Sequence, residues 1–269
     1  MAPDPLGSAN NDGIKRSPNR SSVISQSLGS FGDWRRGIAL RIAKDMTVDE
    51  PTPQIRLEAV KAQIAHAAKP SGRKTDNIHL IAISKTRNES EISALIAAGQ
   101  REFGENRVQE AQEKWPDLKA QWPDIALHLV GQLQSNKADD AVRLFDVIHS
   151  VDRLSLVDAL AAAQSRLAKH PRYFLQVNIG NEAQKGGCVV ADLPALLGMA
   201  RARTLNVIGL MAVPPADTEA APYFALLAKL ARANGLAGLS MGMSGDFETA
   251  IMLGATHVRI GTALFGARP

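Results

Sequence analysis

Lys85 closes an apolar, β-like run, LIAISKT, and is the first residue whose position suggests chemistry. A lysine walled by apolar strand residues is easily desolvated, which frees its amine for attack on an aldehyde. Alone the position carries little, because most lysines at strand ends simply reach water. Two later segments add to it. In SMGMSGDFETA, Ser244 and Gly245 stand where a strand gives way to a helix, and in HVRIGTALFG, Gly261 and Thr262 directly follow another strand. The first N–H groups of a helix lack intrahelical partners, and the helix dipole favours an anion there. Glycine lets a ligand approach the backbone, and Ser and Thr hydroxyls donate further hydrogen bonds. Either loop by itself reads at least as well as an ordinary capped turn.

Together, an amine that condenses with an aldehyde and a cradle for an anion match the two ends of pyridoxal 5′-phosphate (PLP), held as a Schiff base. Arg259 lies two residues before Gly261, so both face the same side, towards the cofactor ring. An arginine opposite the pyridine nitrogen can only donate. That nitrogen then stays unprotonated, and the cofactor is a weaker electron sink.

These groups need elements to position them. After a helix at 53–68, apolar strand-like runs recur at 78–84, 101–105, 126–131, 147–151, 173–179, 206–213, 238–243 and 257–261. Amphipathic stretches lie between them, at 89–98, 107–114, 136–145, 153–169, 191–203, 222–234 and 246–253. Within 153–169, Leu154, Val157, Leu160, Ala161 and Leu167 are expected on one buried face. Short apolar strands alternating with helices predict an α/β fold, a single (β/α)8 TIM barrel with an extra N-terminal helix. An open doubly wound sheet would share the alternation, but no G-x-G-x-x-G follows the first strand. In such barrels functional groups gather at the carboxyl ends of the strands, and phosphate sites use the loops after strands seven and eight. Lys85 and both loops then fall on one face.

A chain of 269 residues with 45% hydrophobic side chains can build one barrel-sized core. The net charge of +4 is concentrated at the start: residues 1–45 hold seven basic side chains against four acidic ones, leaving about +1 on the remainder. A near-neutral body offers no general footprint for nucleic acid. No apolar run approaches the roughly 20 residues that cross a bilayer, so no membrane partner is expected. Cys188 is the sole cysteine, which excludes an intrachain disulfide and fits a reducing compartment. The boundary is placed at 45/46, with a PLP-binding barrel over 46–269. Residues 1–45 read as a disordered extension, rich in Ser, Asn, Gly and Pro over 1–30, or as upstream sequence if translation starts at Met46. The basic stretch 34–45 suits one short amphipathic helix, and its acidic neighbours argue against a transit signal.

Further segments, FGENRVQEA, HLVGQLQSNK, SVD, QVNIGNEAQKGG and GLMAV, join LIAISKT, LSMGMSGD and VRIGTALFGAR in one ordered set. The set closely resembles the pyridoxal phosphate homeostasis protein family, whose barrel is that of the alanine racemase N-terminal domain, and covers about residues 53–268. Each segment alone is weak; together they are specific. The resemblance implies PLP as cofactor, Lys85 as the Schiff-base lysine, and Ser244, Gly245, Gly261 and Thr262 around the phosphate. It places Arg259 by the pyridine nitrogen and Asn106 on the pocket wall. His128, Gln132, Asn136 and Lys137 match HLVGQLQSNK without an assigned role. Lys185 matches the KGG loop and reads either as an exposed lysine or as a contact for a second ligand at the mouth. A cytoplasmic monomer or weak dimer is implied, with apo-PLP enzymes as candidate partners, no metal, and vitamin B6 homeostasis rather than turnover as its role.

The rival reading is a PLP-dependent amino-acid racemase. Two-base racemisation needs a second acid–base group facing the lysine across the cofactor. Alanine racemases supply it as a tyrosine from a second domain, whereas this chain ends at Pro269, just past the last strand. Of its two tyrosines, Tyr173 starts a strand and Tyr223 lies in a helix, so neither is well placed. A histidine, Cys188 or a partner subunit would have to substitute.

Overall fold

The computed structural model describes residues 51–266. The extension over 1–45, the helix considered for 34–45, Met46 and residues 267–269 lie outside the described residues. The chain enters through α1 (Pro53–Ala68), where Thr52 Oγ1 accepts the Ile55 N–H at 3.3 Å and Pro53 has no N–H to leave unpaired. Eight strand–helix units follow: β1 (His79–Ile83), α2 (Glu89–Ala97), β2 (Glu102–Glu105), α3 (Val108–Gln121), β3 (Ala126–Leu129), α4 (Ala138–Leu144), β4 (Val147–Val151) and α5 (Leu154–Leu167), then β5 (Arg172–Gln176), α6 (Leu193–Ala202), β6 (Asn206–Met211), α7 (Ala221–Ala233), β7 (Gly238–Met243), α8 (Phe247–Met252), β8 (His257–Ile260) and α9 (Thr262–Phe265). The strands pair in chain order and in parallel, and β1 meets β8 with His79 opposite His257. The sheet is a closed barrel, not the open doubly wound alternative.

Side-chain caps set the starts of α1 and α2. At α2, Asn88 Oδ1 accepts the Glu91 N–H at 2.9 Å while Glu91 Oε2 accepts the Asn88 N–H at 3.0 Å, a reciprocal capping box. Two helices depart from expectation. The third, expected over 107–114, runs through Pro116 to Gln121. Burial of Trp115 and Leu118 on either side outweighs the single hydrogen bond that proline removes. In α5 the buried stripe is Leu156, Val157, Leu160, Ala163 and Gln164, and Leu154 is 47% exposed. The stripe sits one position round the helix from the one read in the sequence, because buried Gln164 passes for a solvent-facing residue until its partner, Tyr173, is seen.

Between sheet and helices lies an apolar layer that includes Phe103, Trp115, Phe145, Leu160 and Phe224. The lumen is filled differently. Its apolar cluster is Val147, Phe174 and Met211, and beside it are buried His128, His149, Ser240, His257 and Arg259. Interiors of this fold usually hold branched aliphatic side chains. Buried polar groups persist when they find partners, and each of these has at least one, although His128 Nε2 and His257 Nε2 have no hydrogen-bond partner among the described residues. Among the described residues no helix is long and apolar enough to cross a membrane.

Candidate functional site

The turn after β1 is braced from behind. Ser84 Oγ donates to Glu105 Oε1 at 2.8 Å, and the same carboxylate accepts from Trp115 Nε1 at 3.0 Å and pairs with Lys114 at 2.9 Å. With Ser84 committed to the helix side, Lys85 turns to the barrel mouth. Thr86 follows at φ 63°, a strained conformation for a β-branched residue, with its N–H held by Glu110 Oε1 at 2.5 Å. Arg87 is buried, donating to Glu91 Oε1 at 2.9 Å and to the Gly266 carbonyl at 2.7 Å.

The end of β7 carries a bulge. Ser240 faces His257 while Met243 faces Arg259, so the register slips by one residue. Gly242 takes φ 92° there, and a Cβ on it would stand 2.7 Å from the Ala250 Cβ. Beyond the bulge, Asp246 Oδ1 accepts the Met243 N–H at 2.6 Å, closing the turn that holds Ser244. At the end of β8 the Gly261 carbonyl accepts the Leu264 N–H at 2.9 Å, starting α9 one residue before Thr262.

Arg259 is buried. Its Nη1 donates to Ser240 Oγ at 2.7 Å and its Nη2 to the Ala212 carbonyl at 3.1 Å. Burial brings its pKa down to about 10, opposed by the charge of Asp246, so the guanidinium is still cationic at neutral pH.

Lys85, Ser244, Arg259, Gly261 and Thr262 line one cavity of about 190 Å³ at the carboxyl ends of β1, β7 and β8. Ile83, Arg87 and Met243 complete the wall and were not singled out in the sequence, although Arg87 is only two residues past the lysine. Asn106 and Gly245 are not on that wall. Asn106 is half-buried past β2, and its carbonyl lies 2.1 Å from where a Cβ on Gly131 would be, so glycine is what lets the loop after β3 pass. Gly245 opens on an adjoining cavity of about 520 Å³ formed with the loop after β6, which shares Met243. Lys185 borders that second cavity, donating to the Pro214 carbonyl at 2.8 Å and paired with Glu182 at 2.7 Å. Gln132 donates to Gln176 at 2.7 Å, Lys137 lies 3.8 Å from Asp140, and His128 is wholly buried in the lumen. Asn136 stands in the short turn before α4 and borders neither cavity.

An amine, two hydroxyls and a guanidinium on one wall suit an aldehyde, a phosphate and a ring nitrogen on one small molecule. Groups for two-base chemistry lie elsewhere. The Tyr173 hydroxyl is buried and donates to Gln164 Oε1 at 2.9 Å, and burial pushes its phenol well up. Tyr223 is on α7. Burial, with Asp152 and Asp192 nearby, pushes the Cys188 thiol up to about 11. None of the three lines the cavity. No group of three or more His, Cys, Asp or Glu side chains is arranged to hold a metal among the described residues.

A parallel barrel with a lysine after β1 and hydroxyl-bearing loops after β7 and β8 is a barrel of the alanine racemase N-terminal domain class, and the family of that description matches residues 55–269. The "Pyridoxal phosphate homeostasis protein" of Pseudomonas aeruginosa is 42% identical over 218 residues, covering 78% of this chain and 93% of that protein. Its Escherichia coli K12 counterpart of the same description is 38% identical, covering 79% and 95%. The solved structure of PipY from Synechococcus elongatus "with PLP bound" superimposes with a TM-score of 0.65 at 39% identity, covering 76% of this chain and all of that one. The chain belongs to the pyridoxal phosphate homeostasis protein family.

Proposed function

We propose that this protein holds PLP as a Schiff base on Lys85 and serves PLP homeostasis as a carrier or buffer of the cofactor, without efficient turnover. The observation that carries the reading is the convergence of Lys85, Ser244, Arg259, Gly261 and Thr262 on one cavity. A relative at 39% identity described with PLP bound supports it. In this reading the Lys85 amine takes the aldehyde carbon. The Ser244 and Thr262 hydroxyls, with the backbone N–H of Gly261, hold the phosphate. Arg259 donates to the ring nitrogen, and Asn106 supports the pocket from β2. Bound PLP supplies an electrophilic aldehyde and an electron sink, weakened by a neutral ring nitrogen. Against racemisation stands the position of Tyr173, Tyr223 and Cys188 away from the cavity. The partners in this reading are PLP and apo forms of PLP enzymes, met in the cytoplasm by a monomer or weak dimer.

Borohydride reduction of the native protein, followed by peptide mapping, tests it. Reduction is expected to fix the pyridoxyl group on Lys85, and Lys85→Ala is expected to lose the visible band. Label on another lysine would overturn the site. Racemisation at ordinary enzymatic rates would overturn the carrier role and leave the site standing.

A further inference from the structure

The polar lumen forms a line of contacts from one barrel face to the other. Arg259 Nη1 donates to Ser240 Oγ at 2.7 Å. Ser240 Oγ lies 2.9 Å from His149 Nδ1, and His149 Nε2 lies 3.0 Å from His128 Nδ1. His128 Nε2 then faces Glu102 Oε2 at 3.3 Å. That contact is the loosest of the line and falls short of hydrogen-bond geometry, yet both atoms are buried, they face each other, and neither has a hydrogen-bond partner among the described residues. Glu102 opens β2 at the amino-terminal face of the barrel, and Arg259 lines the cavity at the carboxyl-terminal face.

We propose that Ser240, His149, His128 and Glu102 are positioning residues for Arg259, joined in a one-way hydrogen-bond wire whose carboxylate end dictates the tautomer of both histidines. A guanidinium can only donate, and an ionised carboxylate can only accept. Ser240 Oγ accepts from Arg259 and gives its own proton to His149 Nδ1, the sense that the carboxylate at the far end imposes. His149 then carries its proton on Nε2 and gives it to His128 Nδ1. His128 in turn carries its own proton on Nε2, aimed at Glu102. Reversing the wire would set a bare nitrogen of His128 against the carboxylate, two acceptors face to face in a buried site. Protonating His128 twice would charge a fully buried imidazole, which burial opposes.

Other groups around the wire agree with this polarity. Burial raises the Glu102 carboxyl, but His128 and His79, whose Nδ1 is 2.7 Å from Oε1, more than reverse it, so Glu102 stays ionised. His257, its ring centroid 5.9 Å from that of His149 and 6.3 Å from that of His128, is held neutral by burial. Bonds aligned in one sense polarise one another, which strengthens each member of the row. At the cavity, Ser240 therefore always offers Arg259 a lone pair. With Nη2 tied to the Ala212 carbonyl as well, the guanidinium is pinned by one edge, and its remaining donors are left for the cavity.

The role for Arg259 rests on the PLP reading, but the wire itself is read in the cofactor-free protein. Long-range ¹H–¹⁵N correlation of histidine-labelled full-length chain is expected to show His128 and His149 neutral, each with a protonated Nε2 and a bare Nδ1, at neutral pH. A proton on Nδ1 of either ring, or an imidazolium, overturns the wire. Glu102→Gln removes the end that can only accept, because an amide presents either a donor or an acceptor. Both rings are then expected to become tautomer mixtures, although His149 does not touch Glu102. An unmoved His149 in a folded variant means packing side by side and overturns the proposal. Ser240→Ala provides the second variant. It leaves the carboxylate end in place, so both tautomers are expected to persist, while PLP binding is expected to weaken about tenfold, the loss of one hydrogen bond to a charged group. Unchanged PLP affinity would overturn the positioning role. Failure of the native protein to take up PLP would instead defeat the cofactor reading and leave the tautomers standing.

Discussion

Lys114 and Glu105 meet at 2.9 Å directly behind the turn that carries Lys85, with the carboxylate fully buried. Glu105 also accepts from Ser84 and Trp115, so three donors of two elements depend on one side chain. Glu105→Ala is expected to lower stability by about 3–5 kcal/mol, the usual cost of stripping one member from a buried ion pair. Urea unfolding would read this as a lower midpoint with an unchanged slope. A loss below about 1 kcal/mol would mean that Glu110, also 2.9 Å from Lys114, carries that lysine alone.

Ser244 and Thr262 stand on opposite loops of one cavity. Ser244→Ala and Thr262→Ala are each expected to weaken PLP binding about tenfold, since a hydrogen bond to a charged acceptor contributes about 1.5–3 kcal/mol. Borohydride trapping on Lys85 at saturating PLP is expected to persist in both. Titration of the visible band measures the affinity, and an unchanged affinity in both variants would remove the phosphate from these loops.

Gly242 is left-handed at the β7 bulge, where a side chain would press on α8. Gly242→Ala is expected to cost about 1–2 kcal/mol from the backbone alone, with the Ala250 contact adding to it. A lower thermal midpoint together with weaker PLP binding would show that the bulge sets the position of Ser244. Wild-type stability would mean that the bulge relaxes freely.

Acid should destabilise the protein before its carboxylates titrate. Burial, the largest influence in each case, lowers the pKa of His128, His149 and His257 from the ordinary value of 6.5, and that of His257 reaches about 2. Below about 6.5 the unfolded chain binds protons that the folded lumen refuses, so stability falls as pH falls, by up to about 1.4 kcal/mol per pH unit for each histidine. Glu102, with its folded pKa depressed, adds a second loss only below its ordinary value of 4.5. Urea unfolding at a series of pH values is expected to show a steep decline between those two values. His257→Phe should flatten that decline by up to about 1.4 kcal/mol per pH unit. A profile flat over the whole interval would contradict a neutral lumen.

The sequence by itself determined the order and period of the elements, and it named Lys85, Ser244, Arg259, Gly261 and Thr262. Those readings were available because strand and helix periods, caps and strand ends are properties of neighbouring residues, and in a barrel the strand ends are where ligands sit. The passage of α3 through Pro116, the phase of α5 and the places of Asn106 and Gly245 off the cavity wall were decided by tertiary structure. So was the filling of the lumen. His149 and Ser240 are 91 residues apart in the chain, and nothing in the local pattern around either foretells their contact. Each reads alone as a polar residue in a strand. Only barrel closure, which removes water from both and leaves each as the other's partner, turns them into a pair.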